Sequence, residues 1–532
     1  ADMAPSTRSP NIPSTMEFWR SAVVFGKMPG TGEESLKAAD YPDHHLRAAS
    51  LQRAEGRDWT RAKGSGTAPK FTECWAMVER AKKAKGAWEF DDVLLEWNAM
   101  LDPDGPCMFK IVVVDEAQDN NKVQGDIVRG LAGNDGNIVF VGDLRQTIHE
   151  WRGAHPRLFQ SADKKLKAET RELRFNYRST PSIVELCNGY ASGKQWTLGS
   201  DVSAVSTSQE VSVRWKASPD PFVQAVSIAN EVAAEIRSGV SRTRAVLLRT
   251  NGQIAIFEAL MLAAGVSVNL MGGRSALRSY AARTIQNYLK AINEDCAESL
   301  SQVLNTPKRY LPRTYGQALI QTPAQNYETL AQRVARVARS SRLKRGSMRG
   351  AMELSYFLES ARSAAWKAQP QLILDLIIEH WNDAGEAHET DGLGVLQAVA
   401  TMASKFDSYA EFAKFWKQQQ SSLAGSEVTL STIHRAKGLE WDHVYVDATG
   451  GFLPHHRASA SQESEEERLL YVAMSRAKTA LTLTWSEMGP TPECGGLTPL
   501  LERFRPAKDV PDSDPNNGAE IDELSWDDRT NA

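Results

Sequence analysis

One stretch constrains this chain more than any other: Ile111 to Asp119, which reads IVVVDEAQD. Four consecutive β-branched residues give way to two carboxylates. An unbroken apolar run of this kind suits a strand buried on both faces, as in a parallel sheet. The acids then leave the strand at its carboxyl end, where open α/β sheets gather their ligands. Side by side there, two carboxylates can divide two tasks. Asp115 can hold a magnesium ion, directly or through water, and Glu116 can orient or deprotonate an attacking water. These nine residues alone equally allow a core strand that ends in exposed acids, so the neighbouring sequence has to decide.

At 532 residues the chain exceeds a single hydrophobic core, and several domains are expected. A net charge of -4 excludes a uniformly basic nucleic-acid coat, so any DNA contact must be a local patch. Five scattered cysteines, Cys74, Cys107, Cys187, Cys296 and Cys494, form no CxxC pair. That usage fits a reducing compartment and argues against a zinc site or a disulfide framework. No apolar run reaches the roughly 18 residues of a membrane span. The start is polar and proline-rich through Pro13, unlike a signal peptide. A cytoplasmic setting, with no membrane contact, is the expectation.

In chain order, residues 1 to about 15 read as an arm, and Met16 to Trp97 as mostly helical, with Phe71, Trp75, Val78 and Ala81 at helical spacing. After the acidic strand, Ile138 to Val141 reads as a second buried strand ending in Gly142-Asp143. Val211 to Trp215 and Ala245 to Leu248 read as strands around an amphipathic helix, Phe222 to Ile236, which makes a βαβ unit. Helical period then dominates from Ile254 to about Gly425. It includes a basic stretch from Arg333 to Arg349, read either as a solvated face or as a patch for DNA phosphates. Strand character returns at Val428 to Ser431, His443 to Val446 and Ala480 to Thr484. From Pro506 the tail is acidic and rich in proline and asparagine; within it Leu524 and Trp526 either dock a protein partner or are inert.

Five blocks stand in a fixed order: IVVVDEAQD, VGDLRQTIHEWRGA (141–154), NYRS (176–179), STIHRAKGLEW (431–441) and EEERLLYVAMSRAK (465–478). Together they resemble the UvrD/Rep family of superfamily 1 DNA helicases over about residues 70 to 490. Arg249-Thr250-Asn251 and the NTPKR stretch resemble lesser landmarks of that family.

The resemblance implies a role for each block. Asp115 and Glu116 match the Walker B pair, serving metal and water. Gln146 matches a sensor of the γ-phosphate, and Trp151 a platform on which bases stack, worth roughly 1–3 kcal/mol per base. Tyr177 matches an adenine-stacking ring and Arg178 a γ-phosphate contact. Arg476 matches the arginine finger of the second domain, a group that raises rates by roughly 10³ to 10⁵. Arg152 is a third cation that reaches phosphate or ties its loop down. Thr432, His434 and Lys437 fall where the family touches DNA; Gly438 permits close backbone approach, and Glu440 resembles the contact to the nucleotide sugar. Glu466, Glu467, Arg468 and Tyr471 complete the last block, whereas Glu465 reads as part of a solvated charged face.

Two departures matter. His149 stands where the family usually carries a DNA-facing tyrosine, so stacking there is weaker and pH-dependent, or the position is structural. No GxxxxGK[ST] phosphate loop occurs: Gly26-Lys27 runs into Met28, and Gly193-Lys194 into Gln195. The expected fold is α/β, of RecA-like P-loop NTPase domains with parallel sheets and helical insertions, the first domain incomplete. The expected division is a 1B-like helical lead-in (1–105), the C-terminal part of domain 1A (106–178), domain 2A (179–310 and 426–503) interrupted by a 2B-like insertion (311–425), and the tail (504–532). The expected activity is ATP- and magnesium-dependent movement on single-stranded DNA with duplex unwinding, 3′ to 5′ by resemblance, with the phosphate loop supplied by a separate N-terminal fragment or an omitted segment. A degenerate helicase that only binds DNA or a protein partner is the alternative.

Overall fold

The computed structural model describes residues 86, 88, 90–150, 154, 156–160, 162, 167–197, 199–207, 212–271, 275–383, 390–419 and 428–506. Trp151, Arg152, the acidic tail and nearly all of the expected N-terminal helical segment lie outside them. The architecture is mixed α/β, with parallel sheets and many helices.

The first described helix, α1 (Phe90–Met100), packs on α2 (Lys122–Ala132). Strands β1 (Ile111–Val114) and β2 (Asn137–Phe140) pair in parallel, from Ile111 opposite Asn137 to Val114 opposite Phe140. Helix α2 forms the crossover between them. It starts at Asn121, whose side chain accepts from the Gln124 amide at 2.9 Å while the Gln124 side chain accepts from the Asn121 amide at 2.9 Å. This reciprocal cap satisfies two amides that the helix leaves open.

The strand expected to be buried on both faces is not. Ile111 is 63% and Val113 65% exposed, while Val112 and Val114 are half-buried. Helix α2 packs against both β1 and β2. Among the described residues, the face that carries Ile111 and Val113 stays open. An all-apolar run carries no alternation, so it cannot report how many of its faces are covered.

The second sheet has six strands, all parallel, in the order β5-β10-β9-β6-β8-β7. These are β5 (Val213–Ser218), β6 (Arg244–Leu248), β7 (Val268–Met271), β8 (Val428–Thr432), β9 (Trp441–Asp447) and β10 (Ala477–Ser486). A minor pair, β3 (Phe175–Asn176) with β4 (Ser203–Ala204), lies between the two larger sheets in sequence, beside α3 (Pro181–Ala191). Helix α4 (Pro221–Arg237) follows β5, and its N-cap Asp220 accepts from the Phe222 and Val223 amides. The expected strand–helix–strand order is therefore present. However, β5 and β6 are not neighbours, because β10 and β9 lie between them. Strand β7 interrupts the stretch in which helical period dominates; at four residues it is too short to override that period.

Strand β6 is buried at every residue and divides two cores. Val246 and Leu248 join the helical layer, whereas Ala245 and Leu247 join the opposite side with Ile433, Val444, Leu481 and Leu483. Alternate side chains thus serve opposite faces, as a doubly covered parallel sheet requires. The helical layer contains α5 (Asn251–Ala263) and, among the described residues, eight helices between Tyr280 and Gln419. Of the basic stretch, Arg333 donates to the Asp295 carbonyl and Arg336 pairs with Glu328 within the layer, whereas Arg349 pairs with Glu353 on its solvated face. Helix α6 (Glu463–Met474) returns to the far face of the sheet and abuts the turn at Leu144–Gln146. That contact brings the two parallel sheets together.

Candidate functional site

The chain leaves β1 through an unusual turn. Glu116 has φ 50° and ψ 38°, the left-handed region that non-glycine residues occupy at a cost of roughly 1–3 kcal/mol. Its surroundings hold it there. The Glu116 amide donates to Asp115 Oδ1 at 2.9 Å, and the next amide, of Ala117, donates to the Val141 carbonyl at 2.9 Å. Gln118 is fully buried. Its Nε2 donates to Glu116 Oε2 at 2.5 Å, and its Oε1 accepts from the Asp143 amide at 3.1 Å. Gly142 is what admits this side chain, because a Cβ there would lie 2.2 Å from Gln118 Oε1. Asp143 in turn accepts from the Arg145 amide at 3.0 Å and from Gln146 Nε2 at 3.0 Å. The carboxyl ends of β1 and β2 are thereby locked into one carboxylate cluster.

Cations from the six-stranded sheet close on this cluster. Lys437 follows the short helix Ile433–Ala436, and its side chain is 7% exposed. Its Nζ pairs with Asp119, donates to the Gln146 carbonyl at 2.7 Å and lies 3.4 Å from Glu116 Oε2. Expected among the DNA contacts, Lys437 turns its ammonium to the acids instead. Arg476 lies just ahead of β10 and is almost fully buried; its Nη2 donates to Gln146 Oε1 at 3.2 Å. Burial first, and the Arg178 guanidinium next, push Arg476 down to about 10.

Arg178 donates from Nε to Glu440 Oε2 at 2.5 Å, and Glu440 also pairs with Lys478 at 2.9 Å. The hydrogen bonds from Lys478 and Arg178 hold the Glu440 carboxyl down at about 2. Both guanidinium groups meet Ser475: Arg178 Nη1 reaches its carbonyl at 3.4 Å and Arg476 Nη2 its hydroxyl at 2.8 Å. The two guanidinium groups thus converge on Ser475, with Arg476 also donating to the Val472 and Leu439 carbonyls.

Tyr177 presents its ring to solvent at 79% exposure, beside Arg178. Gly438 has φ +80° with open space where a Cβ would sit, so its conformation is what calls for glycine. Thr432 is buried at the end of β8, while His434 and His149 are half-buried. Oxygen ligands from Asp115, Glu116 and Asp143 suit a hard divalent cation, and Asp119 Oδ1 is buried without a hydrogen-bond partner. These carboxylates are of the ligand type magnesium takes, but among the described residues only Glu231, Glu235 and His443 bring three candidate ligand atoms within 4.8 Å of one another.

Glu465 is not part of a solvated face. It is 6% exposed, because α6 lays its first turn against the 144–150 loop rather than against water. Asp119, Gln118, Asp143 and Lys478 also join the site, with Glu150 on the loop beyond it, and no local sequence pattern assigns them to it. Asp119 and Lys478 sit inside quoted blocks, but their partners are distant in sequence. Gly142-Asp143 directly after a strand was the one visible hint of the third carboxylate.

Known proteins are similar to this chain over most of its length. Residues 32–167 match the UvrD/REP helicase N-terminal domain, and 172–345 with 317–488 match the UvrD-like helicase C-terminal domain. DNA helicase II of Haemophilus influenzae is 28% identical over 413 residues, covering 71% of this chain and 55% of that protein. DNA helicase II of Escherichia coli is 28% identical over 417 residues, covering 71% and 56%. The ATP-dependent DNA helicase Rep of Escherichia coli is 25% identical over 466 residues, covering 78% and 66%. The chain thus spans little more than half the length of the two helicase II proteins. Family models matching on both sides of the site, over most of the chain, show that it belongs to the UvrD-like helicase family.

Proposed function

We propose that this chain is the larger part of an ATP-dependent DNA motor, moving 3′ to 5′ on single-stranded DNA and unwinding duplex. The observation that carries this reading is the position of Gln146. Its amide nitrogen is held by Asp143 of the first sheet, and its amide and backbone oxygens by Arg476 and Lys437 of the second. A group gripped from both sides reports any change in their separation.

In this reading ATP binds between the two sheets. Tyr177 stacks on the base, Glu440 meets the sugar, and Arg178 and Arg476 face the terminal phosphate. Magnesium, when bound, neutralises phosphate charge, and Asp115 is the residue that would hold it. Glu116 accepts a proton from the attacking water while Gln118 keeps its carboxylate oriented. Arg476 stabilises the charge that develops on the transferred group. With product lost, the phosphate charge that draws Arg178 and Arg476 across the gap goes with it, and the sheets separate. DNA then shifts along Trp151, His149, Thr432 and His434.

The phosphate cradle is the missing part: no GxxxxGK[ST] lies within these 532 residues. We therefore infer that a Walker A segment outside them completes the site. The test is ATP turnover with and without single-stranded DNA, for the chain alone and with the N-terminal Walker A region of a relative added. Low turnover that rises with both additions supports the reading. No turnover in any combination, with DNA still bound, favours a module that only binds.

A further inference from the structure

The loop 144–150 is gripped at a third place that takes no part in the site described above. Arg468 of α6 is 4% exposed. Its Nε donates to the Thr147 carbonyl at 2.5 Å and its Nη2 to Glu150 Oε1 at 2.5 Å. Lys437 and Arg476 hold the nucleotide end of the loop; Arg468 holds its far end, one residue before Trp151. A buried guanidinium is tolerated only where its fork is matched, and here both matching groups come from the other sheet's loop.

A second carboxylate waits beside it. Glu465 lies three residues back on the same helix, where i and i+3 side chains are neighbours. Its Oε1 is buried without a hydrogen-bond partner. The charged groups around it are Glu150, Arg468, Glu466 and Arg249. Glu466 is already committed, accepting from Arg249 at 2.6 and 3.1 Å and from the His455 amide at 3.1 Å. One guanidinium therefore faces two acceptors: Glu150 from the loop, and Glu465 from its own helix.

We propose that Arg468 is a positioning residue that docks the 144–150 loop through Thr147 and Glu150, and that its guanidinium passes to Glu465 when the loop leaves. An arginine that exchanges one carboxylate for another keeps its charge paired in both states. The two states then lie close in free energy, which a switching element needs. Thr147 follows Gln146 and Glu150 precedes Trp151, so this contact spans the loop from its nucleotide end toward its DNA end. The coupling role rests on the function proposed above; the docking role does not.

The test compares the parent with Arg468→Gln, Arg468→Lys and Glu465→Gln, with thermal melts to confirm folding. Amide hydrogen exchange over residues 143–150 reads docking. DNA-stimulated ATP turnover, measured with oligo-dT in the protein completed by a Walker A region, reads coupling. Arg468→Gln should speed exchange roughly tenfold, consistent with loss of a buried charged pair. It should also cut DNA-stimulated kcat about tenfold or more, with KM for ATP within about twofold. Arg468→Lys should fall between, and Glu465→Gln should slow exchange, because the undocked state loses its charged partner. Unchanged exchange in Arg468→Gln overturns the docking role. Faster exchange in Glu465→Gln overturns the transfer. Equal loss of kcat with and without DNA overturns the coupling. If the parent itself shows no DNA-stimulated turnover, the proposed motor fails, and the exchange comparison still decides docking.

Discussion

Arg476 and Gln146 are 330 residues apart in sequence and 3.2 Å apart in space. Gln146 sits at the carboxyl edge of the two-stranded sheet, Arg476 just ahead of the last strand of the six-stranded one. Lys437 makes the same crossing to Asp119 and to the Gln146 carbonyl. These contacts turn two separate α/β units into one site.

Removing the buried guanidinium should stop chemistry more than binding. In the completed protein, Arg476→Ala is expected to lower kcat by roughly 10³-fold or more, the loss an arginine finger would give. Nucleotide affinity should change far less, and single-turnover kinetics with equilibrium nucleotide binding separate the two.

Tyr177 should behave in the opposite way. Its exposed ring has little to contribute to folding, so Tyr177→Ala should leave the melting temperature in place. Loss of a stacked base should raise KM for ATP by about tenfold with kcat largely kept.

Gly142→Ala probes the shell that orients Glu116. The new methyl would take the place of Gln118 Oε1, which lies 2.2 Å away, and displace that amide from Glu116 and Asp143. Turnover should fall by about tenfold or more, because a general base needs orientation as well as basicity. The thermal melt is expected to move only slightly, since the displaced group is the end of a flexible side chain.

Glu465 predicts a pH dependence of stability. Burial first, and Glu150 next, push its carboxyl up to about 7, against an ordinary value of 4.5. The folded state therefore holds this proton more tightly than the unfolded state. Its stabilisation is complete below about pH 4.5 and is lost as pH rises through about 7. Glu465→Gln should remove that loss: chemical denaturation at pH 8 should find the variant more stable than the parent, by on the order of 2 kcal/mol. At pH 5 the two should be nearly alike.

Much of the site was legible in the sequence because catalysis ties residue type to local spacing. Asp115 and Glu116 follow an apolar strand, and Gln146, Arg178 and Arg476 each sit in a recognisable block. What bound those blocks to one another was not legible. The Lys437–Asp119 pair spans 318 residues, and no local pattern marks it. Glu465 looked solvated because it stands in a run of acids; its burial depends on where another sheet's loop comes to rest. The open face of β1 was missed for the same reason. Ile111 and Val113 would read alike whether covered or bare. Strand β7 fell below the length at which a period of two can be told from a helix.

The central claim, that Glu116 acts on water at a nucleotide held between the two sheets, is tested most directly by one substitution. Glu116→Gln keeps the shape of the side chain and an acceptor for Gln118, but removes the base. Steady-state ATP turnover should be measured in the completed protein with single-stranded DNA present. A fall of roughly 10² to 10⁴, with nucleotide binding retained, is the predicted result. Turnover equal to that of the parent would contradict the account.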